Sequence, residues 1–344
     1  MDVKGNACLA PHVVVLGAGA TLAAFPNGDR NGKRLPLMRN LVEVLGLEPT
    51  LKKYGFKTTV PDFELFYDDL VMSGRNPLLM EEIERSIHDY FADLKLPAEA
   101  TLYDYLLLSL REKDLIATFN WDPFLAQAYR RNPHLVKLPR VVFLHGNVDV
   151  GVCRDHFQKG WLHQSCPVCK RQFEPSRLLH PVRQKDYNTD GFIKNEWEVL
   201  REFLTDAYFV TVFGYSVPAT DVEAKKLMLE RWRDNPIRWL AEIEIVDLKS
   251  RGELEATWRE FLDTPDKKHQ HSIAQDIFDT QAFRYPRRSC DAIAMANLQQ
   301  APFSENAFPR VPDLRELHDW LKPLIKEEDD NCFSGKRTKM NPIH

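Results

Sequence analysis

The segment Thr118-Phe119-Asn120-Trp121-Asp122 and the pair His145-Gly146 put a carboxamide, a carboxylate and an imidazole at the ends of apolar, strand-like runs. Those runs are Leu115-Ile116-Ala117 and Val141-Val142-Phe143-Leu144. Polar side chains that end buried parallel strands sit where doubly wound α/β sheets bind ligands. A histidine there can exchange a proton near neutral pH. An asparagine can orient a water or a hydroxyl. Asp122, followed by Pro123, also reads as a helix cap and first-turn pair, and the two readings are compatible. Capping does not account for Asn120. Asn120, His145 and Asp122 are therefore the candidate catalytic residues.

Three further apolar runs end in small or polar residues. Val13-Val14-Val15-Leu16 leads into Gly17-Ala18-Gly19-Ala20-Thr21, Phe209 to Phe213 into Gly214-Tyr215-Ser216, and Ile243 to Val246 into Asp247. The glycine turn brings backbone amides and a helix start towards a diphosphate. An ordinary strand-to-helix turn explains it equally well. The third glycine of the dinucleotide fingerprint is missing, because Leu22 holds its place, and no acid follows about 20 residues on at a second strand end. A standard hydride-transferring enzyme is thereby disfavoured. Ser216 and Thr220 can donate to phosphate or ribose oxygens.

Cys153-x-x-His156 and Cys166-x-x-Cys169 form two hooks separated by nine residues. Four such ligands suit tetrahedral zinc with no open position, hence a structural ion. His163 is an alternative to His156. A redox pair at Cys166 and Cys169 would call for a preceding strand and a helix starting at the first cysteine, and neither is evident.

The elements that must position these groups follow from periodicity. Helical spacing marks 35–47, 62–71, 79–94 and 102–110, a block inserted between the first and second strands. Strand and helix then alternate, with helices over 123–131, 194–206 and 220–233. The alternation is interrupted by 147–190, which hold the Cys/His hooks. The expected fold is α/β, a Rossmann-like parallel sheet with a helical insertion and a small zinc-binding module. Residues 1–250 form the catalytic domain, with the insertion at 35–112 and the module at 147–190. Residues 251–344 are expected to be a C-terminal helical extension. Leu314, Leu317, Leu321 and Leu324 line one face of a helix there, suited to its own sheet or to a partner.

With 344 residues, 44% of them apolar, one large domain with an insertion, or two domains, is expected. No apolar run approaches the ~20 residues of a membrane span, and the N-terminus lacks a signal-peptide pattern. A cytoplasmic location is expected. The net charge of −4 argues against bulk nucleic-acid binding, with Arg284, Arg287 and Arg288 only a local cluster.

Taken in order, these motifs resemble the sirtuin-like family of NAD-consuming proteins over roughly residues 12–250. The resemblance implies that Gly17, Ala18, Gly19 and Thr21 line the pyrophosphate site. Asn120 and Asp122 would contact the nicotinamide ribose and nicotinamide, and His145 would be the general base. Gly214, Ser216 and Asp247 would hold the adenosine half. Deacylases of the family carry a Pro-Asp-Phe-Arg element where this chain has Pro26-Asn27-Gly28-Asp29-Arg30, and a peptide-pairing Phe-Gly-Glu that has no counterpart between Cys169 and Val210. Pro181-x-x-x-Lys185-Asp186-Tyr187 and Gly214-Tyr215-Ser216-Val217-Pro218-x-x-Asp221 look like the bacterial sirtuin-like effectors of anti-phage defence, which hydrolyse NAD. The expected function is a NAD hydrolase with a structural zinc. The alternatives are a protein deacylase of the same fold and a non-enzymatic module that binds NAD or a related nucleotide. An effector that depletes NAD must be restrained, so a regulatory partner or self-assembly is expected.

Overall fold

The computed structural model describes residues 10–182, 187–217, 221–236, 240–262, 271–297 and 305–332. Among the described residues there are nine strands: β1 (His12–Leu16), β2 (Leu115–Thr118), β3 (Arg140–Phe143), β4 (Val150–Cys153), β5 (Gln158–Trp161), β6 (Glu174–Pro175), β7 (Phe209–Phe213), β8 (Glu242–Val246) and β9 (His271–Ala274). Six of them form one sheet in the order β3-β2-β1-β7-β8-β9, every neighbouring pair parallel. The chain winds outwards from β1 through β2 to β3, then returns to β7 on the other side of β1. The order of the strands therefore reverses between β1 and β7, the kind of switch point at whose carboxyl ends open α/β sheets bind ligands.

The strands are near-continuous apolar runs because helices cover both faces. Alternate residues of β1 show this: Val14 and Leu16 join one buried cluster, Val13 and Val15 another. The first cluster contains the helices inserted between β1 and β2. These are α1 (Ala18–Ala24), α2 (Leu41–Leu45), α3 (Glu48–Lys53), α4 (Phe63–Ser73), α5 (Pro77–Ala92) and α6 (Leu102–Ser109), with α7 (Phe124–Arg131) after β2. The second contains α8 (Gly191–Asp206), α9 (Val222–Asp234), α10 (Arg251–Thr257) and α11 (Arg259–Leu262). The expected helix over 35–47 is shorter. Residues 35–37 are irregular and 38–40 form a turn, with the Asn40 side chain accepting from the Leu37 amide, and α2 stops at left-handed Gly46.

Among the described residues, no strand lies beside the outer edge of β3. Glu196 on α8, fully buried, accepts from the Phe143 amide at 2.9 Å, while Lys159 donates to the Val141 carbonyl at 2.9 Å and pairs with Glu196 at 2.8 Å. One ion pair thus satisfies edge groups that would otherwise be open to another strand.

The stretch after residue 250 departs from a purely helical extension. Beyond α11 it contributes β9, paired along β8 from Ile243↔His271 to Val246↔Ala274, so the sheet gains a sixth strand. The run His-Ser-Ile-Ala is short, half-polar and only partly buried, as an edge position allows, and has no strand-like apolar pattern. After β9 come a turn of 3₁₀ helix (Ile277–Asp279), α12 (Gln281–Arg284), α13 (Ser289–Asn297) and α14 (Leu314–Cys332). Leu317, Leu321 and Leu324 of α14 are buried in the first core cluster, with Leu314 partly buried against it. That leucine face is used internally, not offered to a partner. No helix among the described residues is long and apolar enough to cross a membrane.

Candidate active site and metal centre

The glycine turn closes the β1 end against the β7 end. Gly17 donates to the Phe213 carbonyl at 3.0 Å and Gly19 to the Gly214 carbonyl at 2.9 Å. Gly214 has φ +63°, and a Cβ there would fall 2.2 Å from the Ala20 nitrogen, so only glycine fits both the conformation and the contact. The turn is a backbone-to-backbone joint across the switch point. The Gly17 and Gly19 amides are spent on that joint, and α1 is only seven residues long. Ala18 is exposed at its start.

Around this joint lies a buried polar cluster. Asn120 donates from Nδ2 to the Gly17 carbonyl at 2.9 Å and to Thr21 Oγ1 at 3.0 Å. Thr21 donates to Asp122 Oδ2 at 2.8 Å, and its oxygen lies 2.6 Å from the hydroxyl of Tyr103 on α6. Asp122 Oδ1 accepts from the Phe124 amide at the start of α7 at 3.2 Å, but the N-cap position is taken by Pro123, one residue later than the expected cap. Trp121, between the two, packs into the first core cluster. Asn147, just past His145, donates to the Asp122 carbonyl at 2.6 Å and ties the ends of β2 and β3 together.

Asp122 is buried with no cation beside it among the described residues, and burial pushes its carboxyl up to about 6 against the donors Thr21 and Phe124. A carboxylate raised on folding favours the native state while protonated. Its contribution is complete below the unfolded value near 3.9 and is lost as pH rises through about 6, a change of about 3 kcal/mol. Asp122→Asn should therefore be more stable than the parent above pH 6 by up to about 3 kcal/mol, the gap closing towards pH 4. Urea unfolding at both ends of that range measures it, and an equal gap at both would contradict the assignment.

His145 lies at the β3 end, 6% exposed. Its Nε2 is 3.1 Å from the Tyr187 hydroxyl, and its ring meets Phe119 edge-on at 4.8 Å. Phe119 in turn stacks on Tyr215 at 4.2 Å, and Tyr187 leans on Trp197 at 4.8 Å. Gly146 follows at φ +76°, and a Cβ there would fall 2.0 Å from the Arg177 carbonyl. The segment after the Cys/His hooks thus lies directly on the histidine, with Leu179 donating to the His145 carbonyl at 2.9 Å.

The residues assigned to the adenosine half are more open. Ser216 is exposed and lines a cavity of about 610 Å³ with Lys225, Lys226 and Arg233. Asp247, half-buried at the β8 end, accepts from the Lys249 amide at 3.0 Å. Asn120, Asp122, Thr21, Gly17, Gly19 and Gly214 are brought into one contact network, and His145 sits beside it on the next strand. Ser216 and Asp247 share the same end of the sheet without touching that network among the described residues. Thr220, Pro218, Lys185 and Asp186 lie outside the described residues. Tyr103 and Asn147 had not been singled out. A tyrosine on a helix buried all round, as α6 is, needs a partner for its hydroxyl, and that was the available signal.

The hooks close into one cluster. Cys153, His156, Cys166 and Cys169 place their ligand atoms within 4.8 Å of one another. The Cys153 and Cys169 sulfurs are 3.7 Å apart, and His156 Nδ1 is 3.4 Å from Cys153 and 3.9 Å from Cys166. A tetrahedral zinc with usual bond lengths would give about 3.8 Å between sulfurs and about 3.6 Å from sulfur to nitrogen. The donor set and spacing fit zinc, with all four positions filled by protein. His163 is exposed and outside the cluster. The Arg171 backbone amide holds the Cys169 thiol down at about 6, favouring the thiolate a metal needs. The cluster sits on a separate antiparallel sheet, β5-β4-β6.

No protein-family model matches the chain, and no curated protein matches it. Among solved structures it is similar to Sir2 proteins. A Sir2 variant solved with deacetylated p53 peptide and 3'-O-acetyl ADP-ribose is 17% identical, with a TM-score of 0.37 over 80% of this chain and 94% of that one. A Sir2 homologue in complex with NAD is 12% identical, with a TM-score of 0.38 over 86% and 93%. Sir2 bound to acetylated peptide is 17% identical, with a TM-score of 0.33 over 77% and 87%. Likeness at that level says nothing by itself about chemistry, which rests on the residues above.

Proposed function

We propose that this chain binds NAD at the carboxyl ends of β1, β2, β3 and β7 and hydrolyses the bond between nicotinamide and ribose. The products are nicotinamide and ADP-ribose. The observation that carries this reading is the pairing of Asn120 and His145 on adjacent strand ends beside the switch point. Both Asn120 amide hydrogens are engaged by Gly17 and Thr21, which leaves Oδ1 as its acceptor for a ribose hydroxyl or a water. Departure of nicotinamide neutralises its ring and leaves an oxocarbenium-like centre. Water adds at the anomeric carbon, and His145 takes the proton it releases. The zinc quartet is remote from this step in role. It holds the module whose continuation, 176–182, lies on His145.

Hydrolysis is favoured over deacylation because no segment resembles the peptide-pairing element of deacylases. The reading extends to an anti-phage effector that depletes NAD and is restrained by a partner chain or by its own assembly. The test is to incubate the purified full chain with NAD over a wide range of protein concentration, with and without an acetylated peptide. ADP-ribose formed without peptide supports the proposal, and a rate per chain that rises with concentration supports self-assembly. Acetyl-ADP-ribose formed only with peptide would make it a deacylase. NAD bound but never cleaved would make it a binding module.

A further inference from the structure

We propose that Tyr103, contributed by the helical insertion, is a positioning residue that fills the last lone pair of Thr21 and so fixes the hydroxyl on which the Asn120 amide is held. The inference rests on the hydrolase reading for its kinetic consequence, but its geometric content is independent of it.

A threonine hydroxyl has one hydrogen to give and two lone pairs to receive with. Thr21 Oγ1 has three neighbours: Asp122 Oδ2 at 2.8 Å, the Tyr103 hydroxyl at 2.6 Å and Asn120 Nδ2 at 3.0 Å. An ionised carboxylate has no hydrogen, so Thr21 gives its own to Asp122. The Asn120 amide can only donate to it. The remaining lone pair must take the hydrogen of Tyr103. Tyr103 is 1% exposed, and among the described residues its other hydrogen-bond contact is Asn120 Nδ2 at 3.5 Å, which is itself a donor. Each member therefore has one permitted role while Asp122 is ionised.

Two consequences follow. Thr21 is saturated and has no hydrogen left for a phosphate, so its place in the glycine turn serves the network and not the ligand. The Asn120 amide is pinned at both hydrogens, by Gly17 and by a Thr21 oxygen that Tyr103 holds in place. Remove the phenol hydroxyl and Thr21 gains a vacant lone pair and an alternative rotamer. The Asn120 carboxamide then loses half of what orients it.

Tyr103→Phe keeps the ring and removes only the hydroxyl. Thr21→Val removes the hub at nearly constant shape. Each should lower kcat for NAD cleavage about 10- to 100-fold, as expected for misplacing a reacting group by a fraction of an ångström to one ångström. KM for NAD should stay within about twofold, because neither hydroxyl is offered to the ligand. The double variant should be no worse than either single one, since both break the same network. Unchanged kcat in Tyr103→Phe, or fully additive losses, would overturn the proposal. A rise in KM at constant kcat would instead make these hydroxyls ligand contacts and overturn it too. A crystal structure of Tyr103→Phe tests the same claim without turnover. A displaced or rotated Asn120 amide is expected, and an amide unmoved on Gly17 and Thr21 would refute the positioning role even if the chain never cleaves NAD.

Discussion

Replacing Cys166 with serine is expected to release the metal and melt the β5-β4-β6 module. Cys166 is fully buried, and its amide and carbonyl already bond to Arg171 and Lys170, so its sulfur is held at the centre of the quartet. The small antiparallel sheet has few strands and β6 is only two residues long, so packing alone gives it little. Structural zinc contributes about 10–16 kcal/mol in isolated zinc-binding peptides. Part of that is expected here, since the module also leans on α8. Metal analysis should find a single zinc per chain in the parent and a strong loss in Cys166→Ser, with a lower melting temperature that chelator reproduces in the parent. His163→Ala should change neither quantity. Full metal content in Cys166→Ser would refute the quartet. The loss should also reach the active site, because 176–182 continue from β6 onto His145.

His145→Ala should lower NAD cleavage by about 10²–10⁴-fold, the usual contribution of a positioned acid or base. That is about 3–5 kcal/mol on the barrier. The fold should survive, because Leu179 bonds to the backbone carbonyl of residue 145 and not to its ring. Asn120→Ala should fall as far, but with some loss of stability, since it strips donors from Gly17 and Thr21. Comparing unfolding curves with turnover separates the two effects. If His145→Ala turns over NAD at the parental rate while folded, another group takes the proton, and the neighbouring Tyr187 hydroxyl becomes the first alternative.

Much of this architecture was legible in local sequence. Runs such as Val13 to Leu16 and Phe209 to Phe213 are long, apolar and β-branched or aromatic, and such runs fold as buried strands whatever surrounds them. Their polar endings marked Asn120, His145 and Gly214 as one end of a sheet. The metal quartet followed from ligand chemistry at short spacing.

What the sequence could not decide was whatever depends on contacts between distant residues. His156 and His163 are equivalent by spacing; only the turn between β4 and β5 brings the first within 3.4 Å of the Cys153 sulfur. The strand at His271–Ala274 exists because β8 offers an open edge, not because its residues favour extension. The leucine face of α14 suited the chain's own sheet ahead of a partner, and only the burial of Leu317, Leu321 and Leu324 placed it in the core. For Thr21, beside its glycines, the sequence suggests a place at the pyrophosphate site and is silent on what its hydroxyl meets. In the fold its hydroxyl meets Asp122, 101 residues away, and Tyr103, 82 residues away. Local pattern determines which segments become strands and helices, because that depends on the backbone and the nearest side chains. A hydroxyl with a single hydrogen is assigned only when the folded chain has brought every competitor within reach.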